Sequence, residues 1–317
     1  MYFLILVTNN KKVVAFNIAQ YSGTVNRTKK PFNPILGETF EYCTKGYKFF
    51  TEQVCHHPPI SALHCSSEFY EMFMDTSMKF SFWGKTLEGK PLGSMHIILK
   101  KYNEHYVIKR PISAACNIII GSMYIDNYGE LSATNYKTGE KALVQFKPKG
   151  WFGKNYGEVN GRIYNRMGDA ALEIKGKWTD FLLIKNLATG EENPLWQRNE
   201  RPAEWENYYY FTEFTYQLNN LTEELKKSLP PTDSRFRPDL RALENGDMKL
   251  AQTEKGRLEE IQRAARKEAE KKGVPQKPNY FTFEADEATQ EKYYKFNYKY
   301  WEDRDKQNWA HLPHIYS

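Results

Sequence analysis

Residues 161–178 read GRIYNRMGDAALEIKGKW, and this stretch indicates how most of the chain folds. Two runs that favour β-structure flank NRMGD, a cluster that favours a turn. Similar runs recur upstream as KFSFWGK, GSMHIILKK, EHYVIK, ACNIIIGSMYI and ALVQFKP, with Gly, Asn, Asp or Pro between them every 8 to 14 residues or so, about the spacing of short strands in all-β folds. From about Glu38 to Lys185 no helical pattern separates them, so the sequence predicts an antiparallel meander. Because many consecutive strands curl or close to protect their edges, we expect a large, barrel-like sheet.

The character of the chain changes after this run of strands. Residues 193–220 are predicted to form a connection and then one more strand. Residues 219–229 then look helical and end at Pro230, and residues 253–273 form a second helix that stops at Gly273-Val274-Pro275. The aromatic stretch 279–317 is predicted to pack its rings against the sheet. The fold class is therefore mainly β, with a helical C-terminal part.

Composition limits the classes of protein that fit. The 317 residues include 45 Lys and Arg against 39 Asp and Glu, a mild excess that permits an anionic partner without requiring one. Four cysteines do not make a disulfide scaffold, which favours a reducing compartment. The opening MYFLILV is too short to span a bilayer and lacks signal-peptide features. We expect a cytoplasmic protein whose association with membranes is peripheral.

Residues 52–65, EQVCHHPPISALHC, concentrate side chains of functional type. A metal site is disfavoured because zinc ligands are separated by two to five residues or so, whereas adjacent ligands on a strand point apart. A catalytic site is disfavoured because no nucleophile elbow, phosphate-binding loop or dinucleotide fingerprint accompanies the histidines. On composition alone, the simplest interpretation is a strand end stopped by prolines.

An anion site is the remaining possibility for His56 and His57. Pro58 forces His57 out of helical geometry, and a kink there would let both imidazoles face one side. Each ring can donate a hydrogen bond to a phosphate oxygen. Because a phosphate carries about −1.5 to −2 charges near neutral pH, the site also needs Lys or Arg from elsewhere.

Two distant stretches can supply these cations. In KKPFNPILGE (29–38), two prolines fix a turn that holds Lys30 and Asn33. In the 253–273 helix, Lys255, Glu259 and Arg263 drift only about 40° per step and share one face. An ordinary solvated face with i,i+4 ion pairs is the alternative interpretation of that helix.

Together these stretches resemble the lipid-binding domain of the oxysterol-binding protein family. Residues 52–59 match its E-Q-V-S-H-H-P-P fingerprint, except that Cys55 stands where Ser is usual. Further resemblance lies in KPFNPILGETFE (30–41), RFRPDLRALENGD (235–247), EKGRLEEIQRAAR (254–266) and YWEDRDKQNW (300–309). The resemblance extends from about Val13 to the C-terminus.

The resemblance implies one lipid-binding domain over residues 1–317, with a near-complete antiparallel β-barrel over 13–218 and a helical, aromatic subdomain over 219–317. It implies a non-enzymatic carrier that binds phosphatidylinositol 4-phosphate and exchanges it for a sterol or phosphatidylserine between membranes, with membrane contact sites as one place of action. Anionic membrane surfaces are expected partners, whereas nucleic acid, a metal and a cofactor are not expected.

By motif position, the residues that hold the phosphorylated headgroup would be Lys30, Asn33, His56, His57, Lys255 and Arg263. Glu259 would orient the cations or bind inositol hydroxyls. Family domains begin with a lid and several helices, and MYFLILVTNN does not resemble the lid, so we expect an N-terminally truncated form. A headgroup-binding membrane sensor or tether without transfer activity is the second hypothesis, and a histidine-dependent hydrolase is the least supported.

Overall fold

The computed structural model describes residues 2–273, 277–287 and 289–317, and for residues 2–8 it describes the backbone alone. Contacts divide the chain into two compact units. The first unit contains the residues up to Lys29, Phe69–Met72 and Met78–Glu213. The second unit contains Lys30–Glu68, Phe73–Ser77 and Phe214–Ser317.

The strands in the described part of the chain are β1 (Thr39–Cys43), β2 (Lys48–Cys55), β3 (Ile60–Ser66), β4 (Tyr70–Asp75), β5 (Met78–Trp83), β6 (Thr86–Pro91), β7 (Met95–Leu99), β8 (Glu104–Lys109), β9 (Ile112–Cys116), β10 (Tyr124–Asn135), β11 (Lys141–Phe146), β12 (Glu158–Tyr164), β13 (Ala170–Lys177), β14 (Phe181–Asn186), β15 (Glu192–Gln197), β16 (Phe281–Ala285) and β17 (Lys292–Phe296). The α-helices are α1 (Tyr2–Ala19), α2 (Glu213–Gln217), α3 (Glu223–Ser228), α4 (Pro238–Glu244), α5 (Met248–Lys272) and α6 (Lys299–Lys306).

Strand β10 organises the sheet of the first unit because its 12 residues pair with three other strands. On one side its first half pairs with β9 and its second half with β8, while β11 pairs along the other side. Antiparallel pairs then lead from β11 through β12, β13 and β14 to β15, from β9 through β6 to β5, and from β8 to β7. The predicted antiparallel sheet is confirmed. No pairing among the described strands closes it, so the expected near-complete barrel stays a prediction.

At Gly161, strand β12 approaches strand β11 so closely that only glycine fits. A Cβ atom at that position would lie 2.3 Å from the carbonyl oxygen of Leu143 and 2.6 Å from the Cα of Val144. No real side chain tolerates such contacts, so only glycine lets β12 approach β11 there. The neighbouring Val144 and Ile163 are fully buried in the core of the unit.

Helix α1 corrects the assignment of residues 13–19 to the barrel. Val14 and Ile18 of this helix are fully buried, and α1 contacts β10, β12 and β15. Just after it, the ring of Tyr21 meets Phe146 of β11 edge-on at 5.3 Å. The segment is rich in residues that favour strands, so local propensity pointed away from a helix and packing on the sheet decided the outcome.

The region 193–220 is a second correction. A strand does occur, but it is β15 at the start of the region, and the connection follows it. The predicted later strand is replaced by a short 3-10 helix, Trp205–Tyr208, and by α2. Tyr209 and Tyr210 have φ angles of 55° and 60°, which interrupt an extended backbone, although their aromatic rings favour strands.

In the second unit, β1, β2 and β3 pair antiparallel and β16–β17 form a hairpin. The ring of Phe50 on β2 is fully buried, with its centroid 4.0 Å from the ring of Tyr300 and 5.3 Å from that of Phe296. Tyr280 and Leu312 are buried in the same cluster. The prediction that the aromatic C-terminal stretch packs its rings against strands is therefore confirmed.

The predicted helices of the C-terminal part are also present. Helix α3 ends just before Leu229 and Pro230. Helix α5 begins earlier than predicted, where the Asp247 carboxylate accepts a hydrogen bond from the Leu250 amide at 2.9 Å, and it ends at Gly273 in a left-handed conformation. Val274 and Pro275, predicted to stop it, lie outside the described residues. No helix in the described part of the chain has the length and apolarity needed to cross a membrane.

Glu52 joins β2 to the C-terminal segment of the second unit. Its buried carboxylate accepts hydrogen bonds from the Asn279 amide at 2.7 Å, the Asn279 side chain at 3.1 Å and the Tyr280 amide at 3.0 Å. Burial raises the pKa of Glu52 to about 7, although these hydrogen bonds oppose the rise. Glu52, the first residue of the EQVCHHPP stretch, therefore has a structural role: it holds β2 to the C-terminal segment.

Glu52 predicts a pH dependence of stability. Its folded-state pKa lies above the ordinary 4.5, so its stabilising contribution is complete below pH 4.5 and is lost as pH rises through about 7. We expect the free energy of unfolding to fall by roughly 3 kcal/mol more over this range in the wild type than in Glu52→Gln. Urea unfolding at several pH values measures this difference, and equal slopes for the two proteins would contradict it.

Candidate functional site

A pocket of about 580 Å³ lies in the second unit. Helix α5 forms one wall, and the 30–35 segment and the turn after β2 form the others. All seven residues predicted from the sequence line it: Lys30, Asn33, His56, His57, Lys255, Glu259 and Arg263. Tertiary folding therefore brings together three stretches whose outermost residues, Lys30 and Arg263, lie 233 positions apart in the sequence.

The two histidines lie in a turn rather than on a strand. Residues 56–59 connect β2 to β3, and the centroids of the two imidazole rings are only 4.3 Å apart. On a strand, successive side chains would point to opposite faces. The predicted kink that lets both rings face one side is therefore confirmed.

The other cysteine and histidine side chains of residues 52–65 lie outside this pocket. Cys65 is buried in β3, and the ring of His64 stacks on Phe296 at 4.8 Å. Cys55 lines a smaller neighbouring pocket of about 390 Å³ rather than the main one. None of these three side chains lines the pocket that holds the histidine pair.

The 30–35 segment presents Lys30 and Asn33 together, as its prolines predict. The Lys30 ammonium donates a hydrogen bond to Asn33 Oδ1 at 2.6 Å. Loss of surrounding water lowers the pKa of Lys30. Arg237 donates to the carbonyl of Asn33 at 2.8 Å and so fixes the backbone of the segment.

Helix α5 presents two cations around one carboxylate. Lys255 Nζ lies 3.3 Å from one oxygen of Glu259, and Arg263 Nη2 lies 3.5 Å from the other. The Lys255 ammonium also lies 5.5 Å from the ring centroid of Phe32. These ion pairs are solvent-accessible and hence individually weak, so an incoming anion can compete for the two cations. What distinguishes this face from an ordinary solvated one is that it lines the same pocket as the histidines.

Gln262 is a functional candidate that the sequence interpretation missed. Its Oε1 accepts a hydrogen bond from the Leu36 amide at 2.9 Å, which orients the side chain and turns its NH₂ group toward His56 Nε2 at 2.5 Å. An NH₂ group only donates, so Nε2 accepts and the proton of the neutral ring resides on Nδ1. Gln262 lies seven residues after Lys255 and three after Glu259, and this spacing could have placed it on the same face.

The electrostatics around His56 agree with a neutral ring. Burial, followed by His57 and Arg266, lowers the pKa of His56, against a smaller opposite effect of Glu259. His56 Nδ1 has no hydrogen-bond partner among the described residues. The ring therefore carries no net charge at neutral pH, and its Nδ1–H is a buried donor that lacks an acceptor among the described residues.

Arg237 and Arg266 also line the pocket and were not predicted. Arg237 is held by Glu38 and Asp239, which neutralise it. The remaining charged groups of the lining are four cations and one carboxylate: Lys30, Lys255, Arg263, Arg266 and Glu259. Arg263 and Arg266 also pair with Glu260 at 2.6 Å and Glu270 at 3.5 Å outside the lining, but these ion pairs are exposed and therefore weak. Such a concave surface with an excess of positive charge favours an anionic ligand.

Comparison with known proteins finds relatives that match most of this chain. The family model described as Oxysterol-binding protein matches residues 8–305. The chain is 38% identical over 296 residues to oxysterol-binding protein-related protein 6 of Homo sapiens, covering 92% of this chain and 31% of that protein. It is 37% identical over 335 residues to oxysterol-binding protein homolog 1 of Saccharomyces cerevisiae, covering 96% and 28%. The chain thus spans about a third of the length of these relatives.

Solved structures show the same likeness. The Osh1 ORD domain in complex with cholesterol is 35% identical, with a TM-score of 0.88 and coverage of 96% of this chain and 76% of that one. The Osh3 ORD in complex with PI(4)P from Saccharomyces cerevisiae is 32% identical, with a TM-score of 0.82 and coverage of 96% and 80%. With a family match along most of its length, the chain belongs to the oxysterol-binding protein family.

Proposed function

We propose that this chain is a lipid carrier that binds phosphatidylinositol 4-phosphate by its headgroup and exchanges it for a second lipid between membranes. The observation that carries the proposal is the pocket that gathers the histidine pair, Lys30 and the Lys255–Arg263 face of α5. None of these groups suffices alone, because a phosphate that itself carries about two negative charges needs several donors and cations at once.

Each part of the pocket has a distinct role in this proposal. Lys255 and Arg263 neutralise the phosphate, and Glu259 keeps both side chains oriented or accepts bonds from inositol hydroxyls. His57 and the N–H of neutral His56 donate hydrogen bonds to phosphate oxygens. Lys30 and Asn33 close the other side of the headgroup.

The lipid tails and the second lipid require an apolar interior. We infer a tunnel in a near-complete barrel, within a single lipid-binding domain over residues 1–317. The similarity to the Osh3 ORD bound to PI(4)P and to the Osh1 ORD bound to cholesterol supports a phosphoinositide and a sterol as ligands. Phosphatidylserine is the other candidate for the second lipid. A carrier of this kind would act in the cytoplasm, peripherally on membranes, and needs no catalytic group.

A transfer assay between donor and acceptor liposomes with labelled phosphatidylinositol 4-phosphate tests the proposal. We expect Lys255→Met with Arg263→Met to lower the transfer rate by about 100-fold, since each lost charge-assisted hydrogen bond costs about 1.5–3 kcal/mol. The matched control is Lys249→Met with Lys271→Met, which removes the same charge from exposed positions of α5 outside the pocket. Equal rates for the two variants would refute the headgroup site.

The same assay separates the carrier from a membrane sensor or tether. A sensor would bind vesicles that contain the phosphoinositide but would not move the labelled lipid to acceptor vesicles. A carrier depletes the donor vesicles, and transfer accelerates when the acceptor vesicles contain the exchanged lipid.

A further inference from the structure

Three strand connections of the first unit meet at one end of its sheet. The turn after β5 lies beside the β9–β10 loop, where the Ile118 amide donates to the carbonyl of Lys85 at 3.0 Å. The β11–β12 loop packs onto the start of β10, where the Tyr156 hydroxyl donates to the carbonyl of Ile125 at 3.0 Å. The Lys149 amide donates to the carboxylate of Asp126 there, at 2.8 Å. We call residues 83–86, 117–123 and 147–157 the tip surface.

Large apolar side chains of the tip surface face solvent. Trp151 is 89% exposed and Phe152 is fully exposed, and both lie in the β11–β12 loop. Ile119 and Ile120 in the neighbouring loop are 71% and 72% exposed, and Trp83 is 67% exposed. Several large exposed apolar side chains on neighbouring loops are uncommon on folded proteins and mark an interaction surface.

The charged side chains within the three segments of the tip surface are all lysines. The segments contain Lys85, Lys147, Lys149 and Lys154 and no Asp or Glu. Lys147 pairs with Glu158 at the start of β12, and the Lys149 ammonium lies 3.7 Å from the ring centroid of Tyr124. The apolar side chains are thus accompanied by positive charge, the combination found on surfaces that bind anionic bilayers.

The backbone of the longest loop holds an aromatic ring away from the protein. Phe152 has a φ angle of 57°, in the left-handed region that is unfavourable for a bulky residue. Its ring gains no compensating contact, because the side chain is fully exposed. The strained backbone and the apolar ring in water both cost free energy. A ligand that covers the ring would offset this cost.

We propose that the tip surface is a membrane-insertion surface, in which Trp151, Phe152 and the isoleucines enter the interfacial region of an anionic bilayer. The lysines then contact lipid phosphates. A bilayer fits these side chains better than a protein partner does, because they project separately from three loops and a fluid interface accommodates each one. Trp in particular favours the membrane–water interface. This surface would serve the proposed transfer, yet none of its residues lines the headgroup pocket.

Co-sedimentation with phosphatidylcholine–phosphatidylserine vesicles that contain no phosphoinositide tests this proposal. We expect Trp151→Ser with Phe152→Asn to weaken vesicle binding by about tenfold or more, since two apolar side chains no longer leave water. Asn tolerates the left-handed conformation, so the variant keeps its fold. The matched control is Tyr136→Ser with Met167→Ser, which removes exposed side chains from turns at the opposite end of the same strands and should bind as the wild type does.

Two further measurements distinguish a failure of the tip surface from a failure of the headgroup site. Soluble inositol 1,4-bisphosphate should bind equally well to the loop variant and to the wild type. If neither protein binds it, the headgroup site is refuted and the tip surface is unaffected. Unchanged vesicle binding by the loop variant would overturn the tip surface and leave the headgroup site standing. Light scattering that shows a wild-type dimer lost in the loop variant would also overturn it, because the occupant would then be a second copy of this chain.

Discussion

Replacing His56 and His57 together with alanine should weaken binding of inositol 1,4-bisphosphate by about 10²- to 10⁴-fold, measured by calorimetry at neutral pH. In the proposed headgroup site each ring would supply one hydrogen bond to a charged group, and such bonds contribute about 1.5–3 kcal/mol each. Because the ring centroids are only 4.3 Å apart, the two donors of the proposed site would reach the same phosphate. Loss of His56 also leaves the NH₂ group of Gln262 without its acceptor.

The control for this prediction is His314→Ala, since His314 is exposed and lies outside the pocket. It should bind the headgroup as the wild type does. The thermal unfolding of the double variant should remain close to that of the wild type, because the turn that carries both rings lies at the protein surface. If the double variant binds with unchanged affinity, the histidines are a structural strand end and the headgroup assignment is wrong.

Replacing Arg237 with methionine should destabilise the second unit by about 3–5 kcal/mol. The guanidinium contacts both oxygens of Asp239 at 2.8 and 2.9 Å and Glu38 at 2.7 Å, and all three side chains are buried. Its removal leaves two buried carboxylates without their counter-charge. A loss of this size is large because the stability of a domain is only about 5–15 kcal/mol.

Urea unfolding measures this loss, and its pH dependence identifies the cause. Burial raises the pKa of Glu38 to about 7 even with Arg237 present. Protonation therefore relieves the unpaired charge, and Arg237→Met should be less destabilising at pH 5 than at pH 8. The control is Lys226→Met, which breaks an exposed ion pair with Glu223 and should cost less than about 1 kcal/mol. Destabilisation by the same amount at both pH values would contradict the buried-charge explanation.

Much of the fold could be predicted because strand and helix patterns are local. Runs rich in β-branched and aromatic residues, with turn residues between them, indicated the antiparallel sheet, and the cap at Gly273 marked the end of α5. The errors fell where local and tertiary preferences disagree. Residues 13–19 favour a strand yet are helical because Val14 and Ile18 pack on the sheet. The tyrosines of 208–210 favour a strand yet leave the extended conformation.

Some features of the candidate site could also be predicted from the sequence, whereas others depend on the tertiary structure. The residue types at Lys30, His56, His57, Lys255 and Arg263 follow from motifs in the sequence, which also indicated their shared chemistry. The contribution of Gln262 could not be predicted, because it depends on a backbone amide 226 residues away that orients its side chain. The same holds for the neutral tautomer of His56, which follows from that orientation.

The sequence by itself determined the mainly antiparallel fold, the helical C-terminal part and the seven headgroup candidates, because propensity and spacing are written in neighbouring residues. Only the tertiary structure decided that these seven line one pocket, that Arg237 is neutralised by Glu38 and Asp239, and that three loops form the tip surface. Those features depend on distances between residues that are remote along the chain, and such distances are set by packing and burial rather than by local sequence.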